Sequence, residues 1–159
     1  MRPESATARQ VTSAAMQVAV LNGVNLSMLG HRDPAQYGTT TLSQLETMIY
    51  GWAKDLKLTV RCWQTNSEGD YVGMIHEACA GADGLVVNPG AWTHYSYAVR
   101  DALEIFPGPG VEVHLSNIEE REEWRRTSVI RDLCIDAIQG RGVEGYRDAL
   151  ALLKERLEG

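Results

Sequence analysis

Five short aliphatic runs, each followed by turn residues and then by a stretch of different periodicity, leave this chain few ways to fold. The runs are Val18–Leu21, Leu58–Trp63, Gly84–Asn88, Val111–Asn117 and Cys134–Ile138. Each has the length and β-branched character of a strand buried on both faces. Between them lie helical patterns. Thr41-Leu42-Ser43-Gln44 reads as a capping box, and Leu42, Leu45, Met48, Ile49, Trp52, Ala53 and Leu56 follow at helical spacing. Ser67 to Asp70 opens a second helix carrying Val72, Ile75 and Cys79, and a third is expected from about Thr93, with Ala98, Ala102 and Leu103 inward. Val143, Tyr146, Leu150, Leu153 and Leu157 mark a closing helix. Strands alternating with helices call for right-handed crossovers. The expected architecture is α/β, a flavodoxin-like doubly wound five-stranded parallel sheet in a three-layer αβα sandwich.

The 159 residues suffice for one domain with a real core. Residues 1–16 show neither period and are rich in small polar side chains, so they read as a mobile arm ahead of a single domain over 17–159. No apolar run reaches the roughly 18 residues a membrane span needs. Residues 1–16 also lack the apolar core of a secretory signal, and the expected location is the cytoplasm. Cys62, Cys79 and Cys134 are odd in number and widely spaced, which suits reduced thiols. A formal charge of -6 argues against nucleic acid as a partner. The 12 arginines against three lysines matter more, because guanidinium groups make fixed, forked contacts with carboxylates and hydroxyls.

In doubly wound sheets, ligands sit beyond the carboxyl ends of the strands. The polar residues expected there are Asn22, Asn25, Asn88, His114 and Ser116. Alternation along Val111 to Asn117 puts Glu112, His114 and Ser116 on one face, and Val111, Val113 and Leu115 on the other. A carboxylate two residues before a histidine can hold one ring nitrogen, fix the tautomer and favour the protonated ring as a general acid. The same pair also fits a core strand with a hydrogen-bonded histidine. Glu119-Glu120 point to a helix start after Asn117, whose free amides would attract a carboxylate or phosphate.

Other patterns argue against particular chemistries or leave a role open. Gly140-Arg141-Gly142-Val143-Glu144-Gly145 has dinucleotide-loop spacing, but it precedes the last helix and has no second strand with an acidic residue beyond it. It reads as a tight turn. Metal-ligand spacings are missing, and no metal or other cofactor is expected. Lys54, Lys57 and Lys154 fall on helices away from the rim, which disfavours a Schiff base. His94, in the first turn of the expected third helix, fits either a ligand contact or a cap.

The long segment from Asn25 to Thr40 exceeds the usual strand-to-helix connection and reads as a lid or binding loop. It carries Arg32 and Tyr37. A tyrosine acting as base near neutral pH needs its phenolate stabilised by roughly 4 kcal/mol. One guanidinium about 4 Å away contributes on the order of 4 kcal/mol at an effective dielectric near 20. Arg32 can therefore make Tyr37 a base, with Arg121 as a possible second cation.

With these residues in place, the chain resembles the type II 3-dehydroquinate dehydratases. The resemblance spans about residues 17–153. It rests on Leu21 to Leu26, Leu29 to Gly38, Gln64 to Gly69, Asn88 to Ser96 and Glu112 to Arg125, all in the same order. It implies dehydration of 3-dehydroquinate to 3-dehydroshikimate by anti elimination through an enolate, without metal or organic cofactor. The reaction serves the shikimate pathway towards chorismate and the aromatic amino acids, or quinate breakdown. By resemblance Tyr37 would take the proton beside the ketone, Arg32 would favour its phenolate, and His114 would protonate the leaving hydroxyl with Glu112 behind it. Asn25 would hold a water at the enolate. Asn88, His94 and Arg125 would contact ring hydroxyls, Leu115 and Ser116 would cradle the carboxylate, and Asp101 would reach a neighbouring subunit's site. The family is similar in forming trimers assembled into dodecamers, so a homo-oligomer is implied.

Departures from the pattern are Val24 in the first loop, the stretch from Val129 to Ile138, and Arg141 in the glycine turn. They put the oligomer contacts and the fifth strand in question and leave the reacting residues intact. The competing expectations are a non-catalytic flavodoxin-like small-molecule-binding domain and an assembly subunit without turnover.

Overall fold

Alternation within single strands decides how the layers form. In the computed structural model, which describes residues 14–159, the strands are β1 (Gln17–Asn22), β2 (Thr59–Gln64), β3 (Gly84–Asn88), β4 (Gly110–His114) and β5 (Asp136–Gln139). They form one sheet in the order β2-β1-β3-β4-β5, with every pairing parallel. Val18 and Val20 of β1 point to one face with Val86, Val111 and Val113, while Ala19 and Leu21 point to the other with Leu85 and Val87. Helices α2 (Leu42–Asp55) and α5 (Glu144–Glu158) cover the first face through Leu45, Ile49, Tyr146, Leu150 and Leu153. Helices α3 (Glu68–Gly81) and α4 (Tyr97–Ile105) cover the second through Tyr71, Ile75, Val99 and Ala102. This is the expected doubly wound sandwich.

The capping box forms as read. Thr41 Oγ accepts from Gln44 N at 3.2 Å, and Gln44 Oε1 accepts from Thr41 N at 3.0 Å. Of the arm expected over 1–16, only Ala14 to Met16 fall within the described residues, and the Met16 carbonyl is already tied to Thr59 N at 3.0 Å. No helix among the described residues is long and apolar enough to cross a membrane.

β4 ends at His114 rather than at Asn117, so Ser116 lies in the loop beyond the strand. Three further local expectations need correction, and two concern the rim. The third long helix begins at Tyr97 rather than near Thr93, because Ser96 Oγ accepts from Val99 N and caps it. His94 belongs instead to a 3-10 turn over Gly90–His94. The helix expected from Glu119-Glu120 is two 3-10 turns, Ile118–Glu120 and Glu123–Arg125, and Asn117 Oδ1 takes the Glu119 amide. The expected anion cradle is therefore not an α-helix N-terminus. The third correction is to β5, which lies two residues later at its start than the aliphatic run implied, because Val111 pairs with Asp136.

Candidate active site

Asn22, Gln64, Asn88, His114 and Gln139 all terminate strands, so the register itself assembles a polar rim. Two glycines let the loops above β1 and β3 close on one another. A Cβ at Gly23 would collide with the Pro89 carbonyl, and one at Gly90, where φ is +64°, with the Val24 carbonyl. Gly23 N bonds the Asn88 carbonyl at 2.8 Å. Beyond this junction opens a cavity lined by Asn25, Arg32, Tyr37, Asn88, His94, His114, Leu115, Ser116, Arg121 and Arg125.

His114 and Glu112 occupy the same strand face, as alternation required. His114 Nε2 lies 2.8 Å from Glu112 Oε2, which leaves Nδ1 as the nitrogen able to exchange a proton in the cavity. Glu112 is fully buried. Burial alone would raise its carboxyl, but hydrogen bonds from His114, Ser128 and Arg131 outweigh it and bring the group from 4.5 down to about 2. A carboxylate held this way contributes stability that is complete above about 4.5 and is lost as pH falls towards about 2. The urea midpoint is accordingly expected to drop across that interval. Glu112→Gln should lower the midpoint at neutral pH and flatten its dependence on acid.

Tyr37 ends a single helical turn, α1 (Pro34–Tyr37), which Pro34 begins and Asp33 caps by accepting from Ala35 N at 3.0 Å. The long loop is thus ordered, with a further 3-10 turn over Leu26–Met28. The cation at the phenol oxygen is the one expected in second place, Arg121 rather than Arg32. Both terminal nitrogens of Arg121 donate to Tyr37 Oη at 3.2 Å, whereas the Arg32 guanidinium lies over the ring, 3.7 Å from its centroid. Proximity in sequence favoured Arg32; the β4 loop supplies Arg121 from 84 residues away. Ser116 Oγ accepts from Arg121 at 3.0 Å and Glu122 pairs with it at 3.3 Å, so the guanidinium is held from three sides. Arg32 has no hydrogen bond or ion pair among the described residues, which leaves it free for an anionic ligand.

His94 Nδ1 bonds the Thr127 carbonyl at 2.7 Å, so the neutral ring carries its proton there and offers Nε2 as an acceptor to the cavity. Burial lowers its pKa, the Thr127 carbonyl works against that, and the neighbouring His114 and Arg125 add to the lowering. A neutral acceptor suits a hydroxyl. The cap alternative falls away, since Ser96 holds that place.

Asn88 is fixed by a relay not anticipated from sequence. Its Nδ2 donates to Tyr146 Oη at 2.9 Å, Tyr146 donates to Asn22 Oδ1 at 2.6 Å, and Gly90 N donates to Asn88 Oδ1 at 3.2 Å. The second N–H of Asn88 remains for a ligand. Tyr146 had read only as a core residue of α5; a phenol deep in an apolar stripe needs a partner, and that was the available signal. Asp101 does not line its own chain's cavity. It lies exposed on α4 beside Tyr97 and Glu104.

A phenol and an imidazole, each held by an oppositely charged or hydrogen-bonding partner, share a cavity with Arg32, Arg121 and Arg125, an arrangement chemically suited to proton transfer on a small anionic molecule. The family model described as "Dehydroquinase class II" matches residues 16–154. The 3-dehydroquinate dehydratase of Pelobacter propionicus is 50% identical over 142 residues, covering 89% of this chain and 95% of the relative. That of Thermotoga maritima is 50% identical over 143 residues, covering 90% and 98%. The crystal structure of type II dehydroquinase from Propionibacterium acnes superposes with a TM-score of 0.85 at 43% identity, covering 89% of this chain and 99% of that one. The chain belongs to the class II dehydroquinase family.

Proposed function

We propose that this chain dehydrates 3-dehydroquinate to 3-dehydroshikimate, a hydro-lyase reaction of the shikimate pathway or of quinate breakdown, through residues 17–159 acting as one catalytic domain. The observation that carries the reading is the pairing of Tyr37 Oη with Arg121 in the same cavity as His114 on Glu112. In the substrate a methylene lies between the ketone and the carbon bearing both hydroxyl and carboxylate. Tyr37, as phenolate, removes a proton from that methylene, and the electron pair moves into the ketone as an enolate. Arg121 stabilises the phenolate through its two hydrogen bonds, with Arg32 above the ring as the second cation. Asn25 holds a water at the enolate oxygen. Collapse of the enolate expels the hydroxyl, which takes a proton from His114 and leaves as water. A proton then returns from Tyr37 to His114 through solvent, which restores both groups.

Asn88, His94 and Arg125 orient the ring hydroxyls, and the backbone at Leu115 and Ser116, with the Ser116 hydroxyl, receives the carboxylate. The working form is a homo-oligomer of trimers assembled into a dodecamer, in which Asp101 serves a neighbour's site. Asp101 on the outer face of α4, beside Tyr97 at 71% and Ile105 at 59% exposure, supports this reading. Three free cysteines fit a reducing, cytoplasmic setting. The test is to add 3-dehydroquinate and follow the ultraviolet absorbance of the conjugated enone, with size-exclusion chromatography on the same sample. Absence of the enone from folded, assembled protein would contradict the proposal.

A further inference from the structure

Glu112 has three partners, and only one of them belongs to the proton-transfer pair. Ser128 Oγ donates to Oε1 at 2.6 Å, while Arg131 donates to Oε2 at 2.9 Å, the same oxygen that His114 contacts at 2.8 Å. Arg131 arrives from a 3-10 turn, Arg131–Leu133, just ahead of β5. Its Nε is buried without a partner, and its other carboxylate neighbour, Glu119, is 3.8 Å away and exposed. The main anion it serves is therefore Glu112.

A carboxylate removed from water requires a neighbouring positive charge. If the imidazole were its sole cationic partner, Glu112 would hold His114 as a permanent counter-ion and resist release of the proton. A guanidinium on the same oxygen matches the charge in either state of the ring. We infer that Arg131 is a positioning residue for the reaction, neutralising Glu112 so that His114 can give up and regain its proton. This rests on the reading of His114 as the proton donor to the leaving hydroxyl.

The groups facing His114 from each packed element are few. Glu112 lies on its own strand, His94 stacks at 6.4 Å from the loop after β3, and Arg121 and Arg125 come from the loop after β4. Arg32 and Tyr37 face it from the long loop, and the Cys134 thiol near Glu112 is pushed up to about 12 by burial and by Glu112, hence neutral. None of Arg32, Arg121 and Arg125 pairs with Glu112; among the described arginines, Arg131 alone does.

The test compares kcat against pH for wild type, Arg131→Gln, the neutral near-isostere Arg131→Met, and Arg131→Lys. In the two neutral variants the alkaline limb, where the proton donor is lost, should move up by about one pH unit, with kcat at neutral pH falling about fivefold and KM unchanged. Arg131→Lys should restore the wild-type limb. An unmoved limb in whichever neutral variant folds, or a rise in KM alone, would overturn this inference while leaving the proposed reaction standing. Lack of turnover by wild type would instead overturn both.

Discussion

Tyr37→Phe is expected to lower kcat by about two to four orders of magnitude, the usual contribution of a general base, with KM nearly unchanged. The substitution removes one oxygen and nothing else. The ring keeps its contact with the first-face core and its place beneath Arg32, so circular dichroism and the urea midpoint should stay near wild type. Arg121 loses an acceptor but keeps Ser116 and Glu122, so no buried cation is stranded. A retained kcat would show that the base lies elsewhere. A loss of kcat together with stability would mean that the phenol is chiefly structural.

His114→Ala should cost a similar factor, again about two to four orders of magnitude, through a different step. Loss of the hydroxyl then lacks a proton donor, while removal of the proton beside the ketone remains possible. Exchange of that proton with deuterated solvent, followed by mass spectrometry of recovered substrate, should therefore persist in His114→Ala and vanish in Tyr37→Phe. Glu112 keeps Ser128 and Arg131 when the imidazole is gone, so the buried carboxylate stays paired and the fold should hold. Equal loss of exchange in both variants would contradict the division of labour between the two residues.

The sheet was legible because its aliphatic runs are short, and those of β1, β3 and β5 close on Asn22-Gly23, Asn88-Pro89 and Gln139-Gly140. Gly84–Asn88 carries five consecutive buried residues closed by Pro89, and its limits emerge unchanged. Alternation at Glu112 and His114 likewise located the buried pair, since residues two apart on a strand must share a face. The segment from Ile118 to Leu133 was legible as the source of Arg121 and Arg125 but not in its conformation. Its 3-10 turns have no apolar period, and its role depends on partners far along the chain, such as Arg121 with Tyr37 and Ser128 with Glu112. For the same reason Arg32, five residues from Tyr37, looked like the principal cation. The fold sets it over the ring face and gives the oxygen to Arg121. Tyr146 was hidden by its helical spacing, which describes its ring and says nothing of the hydroxyl that joins Asn22 to Asn88.

The central claim is that a phenolate on one side of a small ring and an imidazolium on the other remove the elements of water. Elimination from such an arrangement must be anti. The most direct measurement uses 3-dehydroquinate carrying deuterium on the methylene beside the ketone, on the ring face opposite the departing hydroxyl, with mass spectrometry of the enone product. The label is expected to pass to solvent, leaving unlabelled product; product that retains the deuterium would place the base on the wrong side and contradict the account.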